Sequence, residues 1–395
     1  MSGGDPVYLD YAATSAVRPD AVVEAVARYL RDVGATPGRA GHRRALEAGR
    51  TALRCRRVLA LLFNLPGDPG RIAFQLNATH ALNLALLGLL RPGDRVVRTP
   101  YDHNAVRRPV GALAALRGVE EVVLAGDAEG GVDLDEAERL LAGARLLALP
   151  HASNVLGSAL PVRALAERAH AAGALVLLDA AQTAGHLPVD AQALGVDLLA
   201  FSGHKGLLGP QGTGGLWVRE GVEVDPLFAG GTGGDSGPLE MPASLPDRLE
   251  AGTQNGPGIA GLLAGVEWLL ERGVGARHAR EAALKAQLRA GLAAVPGVWV
   301  RSPAAPDGVG IVTVTADALE AGELALRLDR EHGVLTRAGL HCAPEAHVLL
   351  GTASTGAVRF SVGWATTAAD VDRAVAAVRA LAGAAARETM PLAAG

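Results

Sequence analysis

The sequence predicts an α/β fold, with a mostly parallel central sheet in a large domain and a smaller α+β domain at the C-terminal end. Two observations carry this. From about residue 71, short apolar runs alternate with runs of helical period, and strands with no regular polar positions are strands covered by helices on both faces. Past a Gly/Pro-rich passage, Phe228 to Gly256, the alternation gives way to long helices and spaced strands. In order, Arg71–Gln75, Arg95–Thr99, Glu121–Leu124, Arg145–Leu149, Ala174–Asp179 and Leu198–Ser202 read as strands. Helices fall between them at Thr79–Leu90, Asp133–Leu141 and Pro161–Ala172, the last with proline in its first turn and Gly173 just past its end. Beyond the loop come helices Pro257–Arg272 and Ala276–Ala294, then strands near Val298–Arg301, Gly310–Val314 and Val358–Val362, with helices between and after. The large domain is drawn as residues 1–256 and the small one as 257–395, with the Ala-rich tail from about Ala384 frayed or exposed.

A chain of 395 residues can bury a sizeable core. Because aromatics are only 3% of a composition that is 49% hydrophobic, Ala and Leu must fill that core. The net charge is −4, and the arginines are spread over helical segments instead of gathered in one block, which excludes nucleic acid as the expected partner. No apolar stretch is long enough to span a bilayer, and Met1 to Asp10 lacks the regions of a signal peptide, so a cytoplasmic location away from membranes is expected. Two cysteines give no disulfide framework. Cys55 shares a helical stripe with Ala52, Leu59 and Leu62 and is expected in the core.

The carboxyl ends of parallel strands open on a common crevice, so ligand groups are sought there. Leu175 to Leu178 run straight into Asp179, with Gln182 three residues on. Read alone, this carboxylate caps whatever follows. Read as a site residue, it stays ionised against a protonated pyridine nitrogen, with Gln182 donating to the adjacent ring oxygen. The next strand ends in Ser202-Gly-His-Lys-Gly206. Lysine alone marks a solvated surface and glycine alone a turn, but together they set an amine at a strand end between small residues. Desolvation there lowers the lysine pKa enough for an imine with an aldehyde cofactor. Ser202 and His204 can donate to phosphate oxygens, and Asn77-Ala78-Thr79, opening a helix, offers backbone N–H groups and the Thr79 hydroxyl. Thr79 reads equally as the N-cap of that helix.

In this order the pieces resemble the class V aminotransferase family of fold type I pyridoxal 5′-phosphate (PLP) enzymes. The stretches that carry the resemblance are Tyr8-Leu-Asp-Tyr-Ala-Ala-Thr-Ser15, Asn77-Ala-Thr-His-Ala-Leu-Asn83, His103-Asn104, His151-Ala-Ser-Asn-Val-Leu-Gly157, Asp179-Ala-Ala-Gln182, Ser202-Gly-His-Lys205, Gly252-Thr-Gln-Asn255 and Arg359-Phe-Ser361, and they span nearly the whole chain. Tyr11 and Asp102 depart from it, standing where the family more often has Asn or Ser and Glu. The resemblance implies PLP carried by Lys205, with Asp179 and Gln182 on its ring and Ala78, Thr79, Ser202 and His204 among its other contacts. It implies His103 stacked on the ring and Asn154 on the ring oxygen or the substrate. Ala13, Asn154 and Arg359 would meet the substrate, Arg359 through a bidentate grip on its carboxylate. Thr253 would reach the phosphate of a neighbouring subunit, which implies a homodimer. From the residues alone, His103 is a satisfied polar group after a strand and Arg359 half of a surface ion pair. No metal is expected.

The segment Thr336-Arg-Ala-Gly-Leu-His-Cys-Ala-Pro344 narrows the reaction. It resembles the Arg-x-Gly-x-His-Cys-Ala stretch of the SufS-like, group II cysteine desulfurases. That resemblance implies that Cys342 takes the sulfur of L-cysteine as a persulfide, releases L-alanine, and passes the sulfur to an acceptor protein such as a sulfur carrier or an iron–sulfur scaffold. Lys205 would remove the α-proton, with His103 helping to move protons. The thiolate must form near neutral pH instead of at its free value of about 8.5, and His341 and Arg337 are expected to lower it. Read alone, Cys342 is a small buried hydrophobe, although Gly339 and Pro344 bracket it in a turn-like loop. Three alternatives keep the same Lys205: a lyase for L-selenocysteine, another C–S lyase, and a true aminotransferase. A non-enzymatic assembly partner with the same fold is a fourth, against which stands the retention of both Lys205 and Asp179. The Ala229–Pro238 loop reads as a mobile lid or dimer contact.

Overall fold

The computed structural model describes residues 5–38, 41–234, 237–304 and 307–389. A short strand, β1 (Val7–Tyr8), precedes α1 (Asp20–Arg28) and α2 (Arg43–Leu62). The main sheet and its helices follow as β2 (Ile72–Gln75), α3 (Ala78–Leu89), β3 (Arg95–Arg98), α4 (Asn104–Arg117), β4 (Glu120–Val123), α5 (Leu134–Leu141), β5 (Leu146–Pro150), α6 (Val162–Ala171), β6 (Leu175–Asp179), α7 (Ala191–Leu194), β7 (Leu198–Ser202) and β8 (Gly214–Val218). After the Gly/Pro-rich passage come α8 (Gly256–Arg272), α9 (Val274–Ala293), β9 (Val298–Val300), β10 (Ile311–Ala316), α10 (Ala321–His332), β11 (Val334–Leu335), β12 (Arg337–Gly339), α11 (Pro344–Leu349), β13 (Ala357–Ser361) and α12 (Ala368–Thr389). No helix among the described residues is long and apolar enough to cross a membrane.

The main sheet has the order β2-β8-β7-β6-β5-β3-β4, and within it β8 alone runs against the other strands. The expected mostly parallel α/β architecture is what the chain adopts. Strands β5, β7 and β8 are buried along their whole length, as helices on both faces require. The sequence reading passed over β8 because Gly214-Gly215 prolongs a run that looks like a turn. These glycines instead let β8 enter the sheet. A Cβ at Gly214 would lie 2.6 Å from the Phe201 carbonyl oxygen and 2.7 Å from Asn77 Cα. Helix α4 is a second element absent from the expected order, and it carries Pro109 in its interior.

The smaller sheet, β12-β13-β10-β9, is antiparallel throughout. Apolar cores lie on both faces of the main sheet, and another lies against the smaller sheet. Ile259, Leu262, Val266 and Leu269 of α8 pack in the same core as Leu147, Leu178 and Leu199 of the main sheet. Leu284, Leu288 and Leu292 of α9 instead join Val312, Val358 and Leu381, and Val7 and Leu9 join them from the other end of the chain. Helices α8 and α9 therefore fall in different cores, with the N-terminal strand on the small-sheet side, while Ile311 of β10 and Ala346 of α11 also join the main-sheet core. The expected fraying from Ala384 is corrected. Helix α12 runs to Thr389 because Ala374, Val378, Leu381 and Ala385 keep its inner face buried, Ala385 at 3% exposure, while residues 390–395 lie outside the described residues.

Candidate active site

A cavity opens at the carboxyl ends of β2, β3, β5, β6 and β7, lined by Asn77 to Thr79, His103, Asn154, Asp179, Gln182, Ser202, His204 and Lys205. The parallel topology puts all these strand ends on one side of the sheet, which is why residues far apart in sequence meet there. Asp179 ends β6 at 7% exposure, and its Oδ1 accepts from Ala181 N at 2.9 Å. Turn residues follow it and no helix opens at Ala181, so the helix-cap reading does not hold. Burial pushes its carboxyl above the usual range, while the Ala181 N–H and Lys205 pull it back.

Lys205 lines the same cavity as Asp179, and its ammonium is lowered to about 8, chiefly by burial, with Asp179 opposing the shift. The loop that carries it is shaped by its neighbours. A Cβ at Gly203 would come 2.2 Å from Thr213 Oγ1, and one at Gly206 would come 2.3 Å from the Ala184 carbonyl oxygen. The Lys205 carbonyl accepts from Ser15 Oγ at 2.8 Å. Only glycines at 203 and 206 let the chain turn this tightly and bring the amine back over the strand ends.

At the other wall α3 begins. Asn77 caps it, Oδ1 accepting from His80 N at 2.9 Å, so the N-cap reading of Thr79 is corrected: Thr79 is exposed at the cavity rim. Ala78 N donates to Ser202 Oγ at 3.0 Å, which leaves the Ser202 hydroxyl hydrogen free to point elsewhere. Among the described residues no partner takes the Thr79 N–H. That free donor, the helix N-terminus and the Ser202 hydroxyl together make an anion cradle. His204 Nδ1 lies 3.1 Å from Thr14 Oγ1, and burial, with Lys205 next, lowers its ring to about 4.

His103 answers both of its readings. Its Nδ1 caps α4 by accepting from Ala105 N at 3.0 Å, and its ring lines the cavity. The cap puts the proton on Nε2, and burial, then the charge of Lys205, lowers the ring to about 4, so it is neutral near pH 7. Gln182 Nε2 donates to the Ala12 carbonyl at 3.1 Å, and Asn154 Nδ2 to the His341 carbonyl at 2.7 Å.

Other expected residues sit outside the cavity wall. Arg359, on β13, is not in a surface ion pair: it is 1% exposed, and it donates to Asp10 Oδ1 at 3.0 Å and to the Asn154 carbonyl at 3.0 Å, while its Nε has no partner among the described residues. Asp10, 349 residues away, is a residue the sequence reading missed, and only its place in the Tyr8–Ser15 stretch signalled it. Ala13 is half-buried in the same turn, its N–H on the Asp10 carbonyl at 3.1 Å, and does not line the cavity. Thr253 is exposed and lines a different cleft with His80 and Phe228, so a single chain does not bring it to Lys205. Of the Ala229–Pro238 loop, residues 235 and 236 lie outside the described residues, and most of the remainder is exposed.

Cys342 sits between β12 and α11, half-buried, and not on an apolar stripe. His341 and Cys342 both adopt left-handed backbone, φ 51° and 59°, which costs a non-glycine residue roughly 1–2 kcal/mol each. Arg337 NH2 lies 3.7 Å from Sγ. The expected help from His341 is not there. Its ring is turned to the His347 Nε2 and to the Arg337 carbonyl, each at 3.1 Å, and burial, then Arg359, drives it down to about 3, so it carries no positive charge toward the sulfur. Arg337 is therefore the cation in contact with the thiol, and Arg359 is near enough to feel its charge. Cys55, by contrast, is fully buried on α2, and burial pushes its thiol up.

The model of the family described as Aminotransferase class-V matches residues 7–374. The chain belongs to the class-V aminotransferase family. Within that family, a protein of Pyrococcus abyssi described as a probable cysteine desulfurase is 36% identical over 347 residues, 85% of each chain. The cysteine desulfurase of Haloferax volcanii is 32% identical over 368 residues, 90% of this chain and 85% of its own. Among solved class-V structures, the apo cysteine desulfurase of Thermococcus onnurineus superposes with a TM-score of 0.89 at 32% identity, covering 96% of this chain and 95% of that one. The Escherichia coli cysteine desulfurase CsdA, in an S-sulfonic acid form, gives 0.84 at 30% identity, over 98% and 96% of the two chains.

Proposed function

We propose that this chain is a PLP-dependent cysteine desulfurase that converts L-cysteine to L-alanine and carries the sulfur as a persulfide on Cys342. The observation that carries the reading is one cavity holding an amine shifted to about 8 together with a buried carboxyl, with an anion cradle on the wall between strands and helix. These residues fit PLP. An aldehyde needs a neutral amine, a phosphate needs N–H and O–H donors, and a buried carboxyl displaced upward is relieved by a cationic ring nitrogen. Lys205 would hold the cofactor, Asp179 and Gln182 its ring, Ala78, Thr79, Ser202 and His204 its phosphate, with His103 against the ring face and Asn154 beside it. Bound there, PLP supplies an electron sink for the substrate's α-carbon.

The chain's own groups do the rest. Lys205, neutral once its proton is lost near pH 8, takes the α-proton. Neutral His103, with its proton on Nε2, can give and recover a proton at the cavity mouth. Cys342 thiolate, next to Arg337, attacks the substrate sulfur. The C–S bond breaks, its electron pair stays with the carbon skeleton, and that carbon takes a proton as alanine leaves, so sulfur is oxidised and carbon reduced by the same two electrons. Arg359, oriented by Asp10 and the Asn154 carbonyl, would meet the substrate carboxylate with Ala13 nearby. Thr253 would act on a second copy of the chain, making the enzyme a homodimer, and the persulfide would pass to a sulfur-acceptor protein in the cytoplasm.

The purified protein should show a visible absorbance band of lysine-bound PLP that changes when L-cysteine is added, with alanine and a protein-bound persulfide appearing in equal amounts in the first turnover. Absence of the band, or alanine without persulfide, refutes the reading. The pH dependence has a fixed sign. Below pH 8 Lys205 is mostly protonated, so reloading of the PLP-stripped protein should speed up about tenfold between pH 7 and 9, following the neutral fraction of an amine of pKa about 8, and level off above it. Stopped-flow absorbance measures this directly.

A further inference from the structure

We propose that Glu345, gripped by Arg98 and Arg107, is a positioning residue that aims the Cys342 sulfur, a role that rests on the desulfurase reading above. Three ties fix the segment from His341 to Glu345 onto the large domain. The His341 carbonyl accepts from Asn154 Nδ2 at 2.7 Å, and the Cys342 carbonyl accepts from Asn104 N at 2.7 Å. Asn154 lines the Lys205 cavity and Asn104 follows His103, so both ties index the thiol loop to the cavity itself.

The third tie is ionic. Glu345, in the first turn of α11, meets Arg98 with both oxygens, Oε2 to NH1 at 2.5 Å and Oε1 to NH2 at 2.9 Å, and Arg107 Nε adds a contact to Oε1 at 3.0 Å. The Arg98 side chain is 4% exposed and fixed independently, Nε on Glu121 at 2.5 Å and NH1 on the Thr99 carbonyl at 3.1 Å. It stands at the end of β3, five residues before His103, and so is a rigid part of the strand-end scaffold.

The loop needs such an anchor because two successive left-handed residues are unfavourable for L side chains and relax unless both ends are held. Strand β12 holds the near end through its pairing with β13. Pro344 begins α11 and Glu345 ties that helix down, which holds the far end. Release of the far end would let the His341–Cys342 turn unwind and carry Sγ off its line of attack, where a displacement of roughly 1 Å costs as much as 10²-fold in rate.

The test compares cofactor-loaded wild type with Glu345→Gln for alanine formation and for alkylation of Cys342 by iodoacetamide. Cys55 is fully buried, and Cys342→Ser supplies the background. The expected result is a fall in kcat of about tenfold with KM for L-cysteine within about twofold, since misplacement of an attacking atom acts on the chemical step. Alkylation is expected to speed up at least about threefold, because freed loops open more often, and Glu345→Asp should restore part of kcat. If kcat and alkylation both stay within about twofold of wild type, the proposal is overturned. A loss of kcat together with melting temperature at unchanged alkylation makes Glu345 a general fold support and overturns it as well. Should Glu345→Gln not fold, Arg107→Gln removes one contact from a half-exposed side chain and must move both readouts the same way by a smaller factor; no movement overturns the proposal. If wild type forms neither alanine nor persulfide, the desulfurase reading fails, and the alkylation comparison alone then decides the positioning claim.

Discussion

Replacement of Lys205 by alanine is expected to remove turnover of L-cysteine by at least about 10⁴-fold, because in the proposed function one group both holds the cofactor and moves the α-proton. The same change should abolish borohydride fixation of PLP to the chain, read as loss of the reduced adduct on the peptide that carries residue 205. Asp179→Asn is the milder partner. It keeps the shape and the hydrogen bond from Ala181 N but removes the charge, and a charge aimed at a developing one in a dry site is worth about 10²–10³-fold. The asymmetry is diagnostic, since Asn at 179 leaves the amine able to hold the cofactor while Ala at 205 does not. Retention of more than about one part in a hundred of activity by Lys205→Ala contradicts the assignment, being far above what loss of a general base permits.

The placement of Lys205 and Asp179 at one cavity was legible in the sequence because strand-end chemistry depends on local order. A buried apolar run that stops at an acid or a lysine between glycines states where the side chain must go, and the fold then brings such ends together. The Asp10–Arg359 pair was not legible, because nothing local relates residues 349 apart; the partner comes from the turn after a two-residue strand. His341 was misjudged for a similar reason. Adjacency to Cys342 suggested a charge, but its ring is committed to His347 and the Arg337 carbonyl, and a ring so buried stays neutral. Composition changes at the Gly/Pro-rich loop, whereas α8, which follows that loop, still packs in the main-sheet core and α9 in the small-sheet core. Thr79 lost its cap role to Asn77, two residues earlier in the same motif, a distinction that backbone angles decide and residue types do not.

Cys342→Ser separates the sulfur step from everything before it. Serine fills the same space, but its hydroxyl does not ionise near neutral pH even with Arg337 at hand, so it cannot accept sulfur. Persulfide should disappear and alanine formation from L-cysteine should fall by at least about 10²-fold, the scale expected when a nucleophile is lost and its surroundings remain. The visible band and its first change on adding L-cysteine should survive, because in the proposed function cofactor and substrate binding draw on Lys205, Asp179 and Arg359 and not on the thiol. Three results would redirect the reading. Desulfuration at the wild-type rate removes Cys342 from the chemistry; turnover of L-selenocysteine alone makes the enzyme a selenium lyase, since that leaving atom departs without a thiolate to receive it; and build-up of the aminated cofactor, reversed by an oxo acid, makes it an aminotransferase. What discriminates among them is whether a sulfur atom must be received by the protein. The cation at Arg337 and the two left-handed residues at 341 and 342 support the reading in which it must.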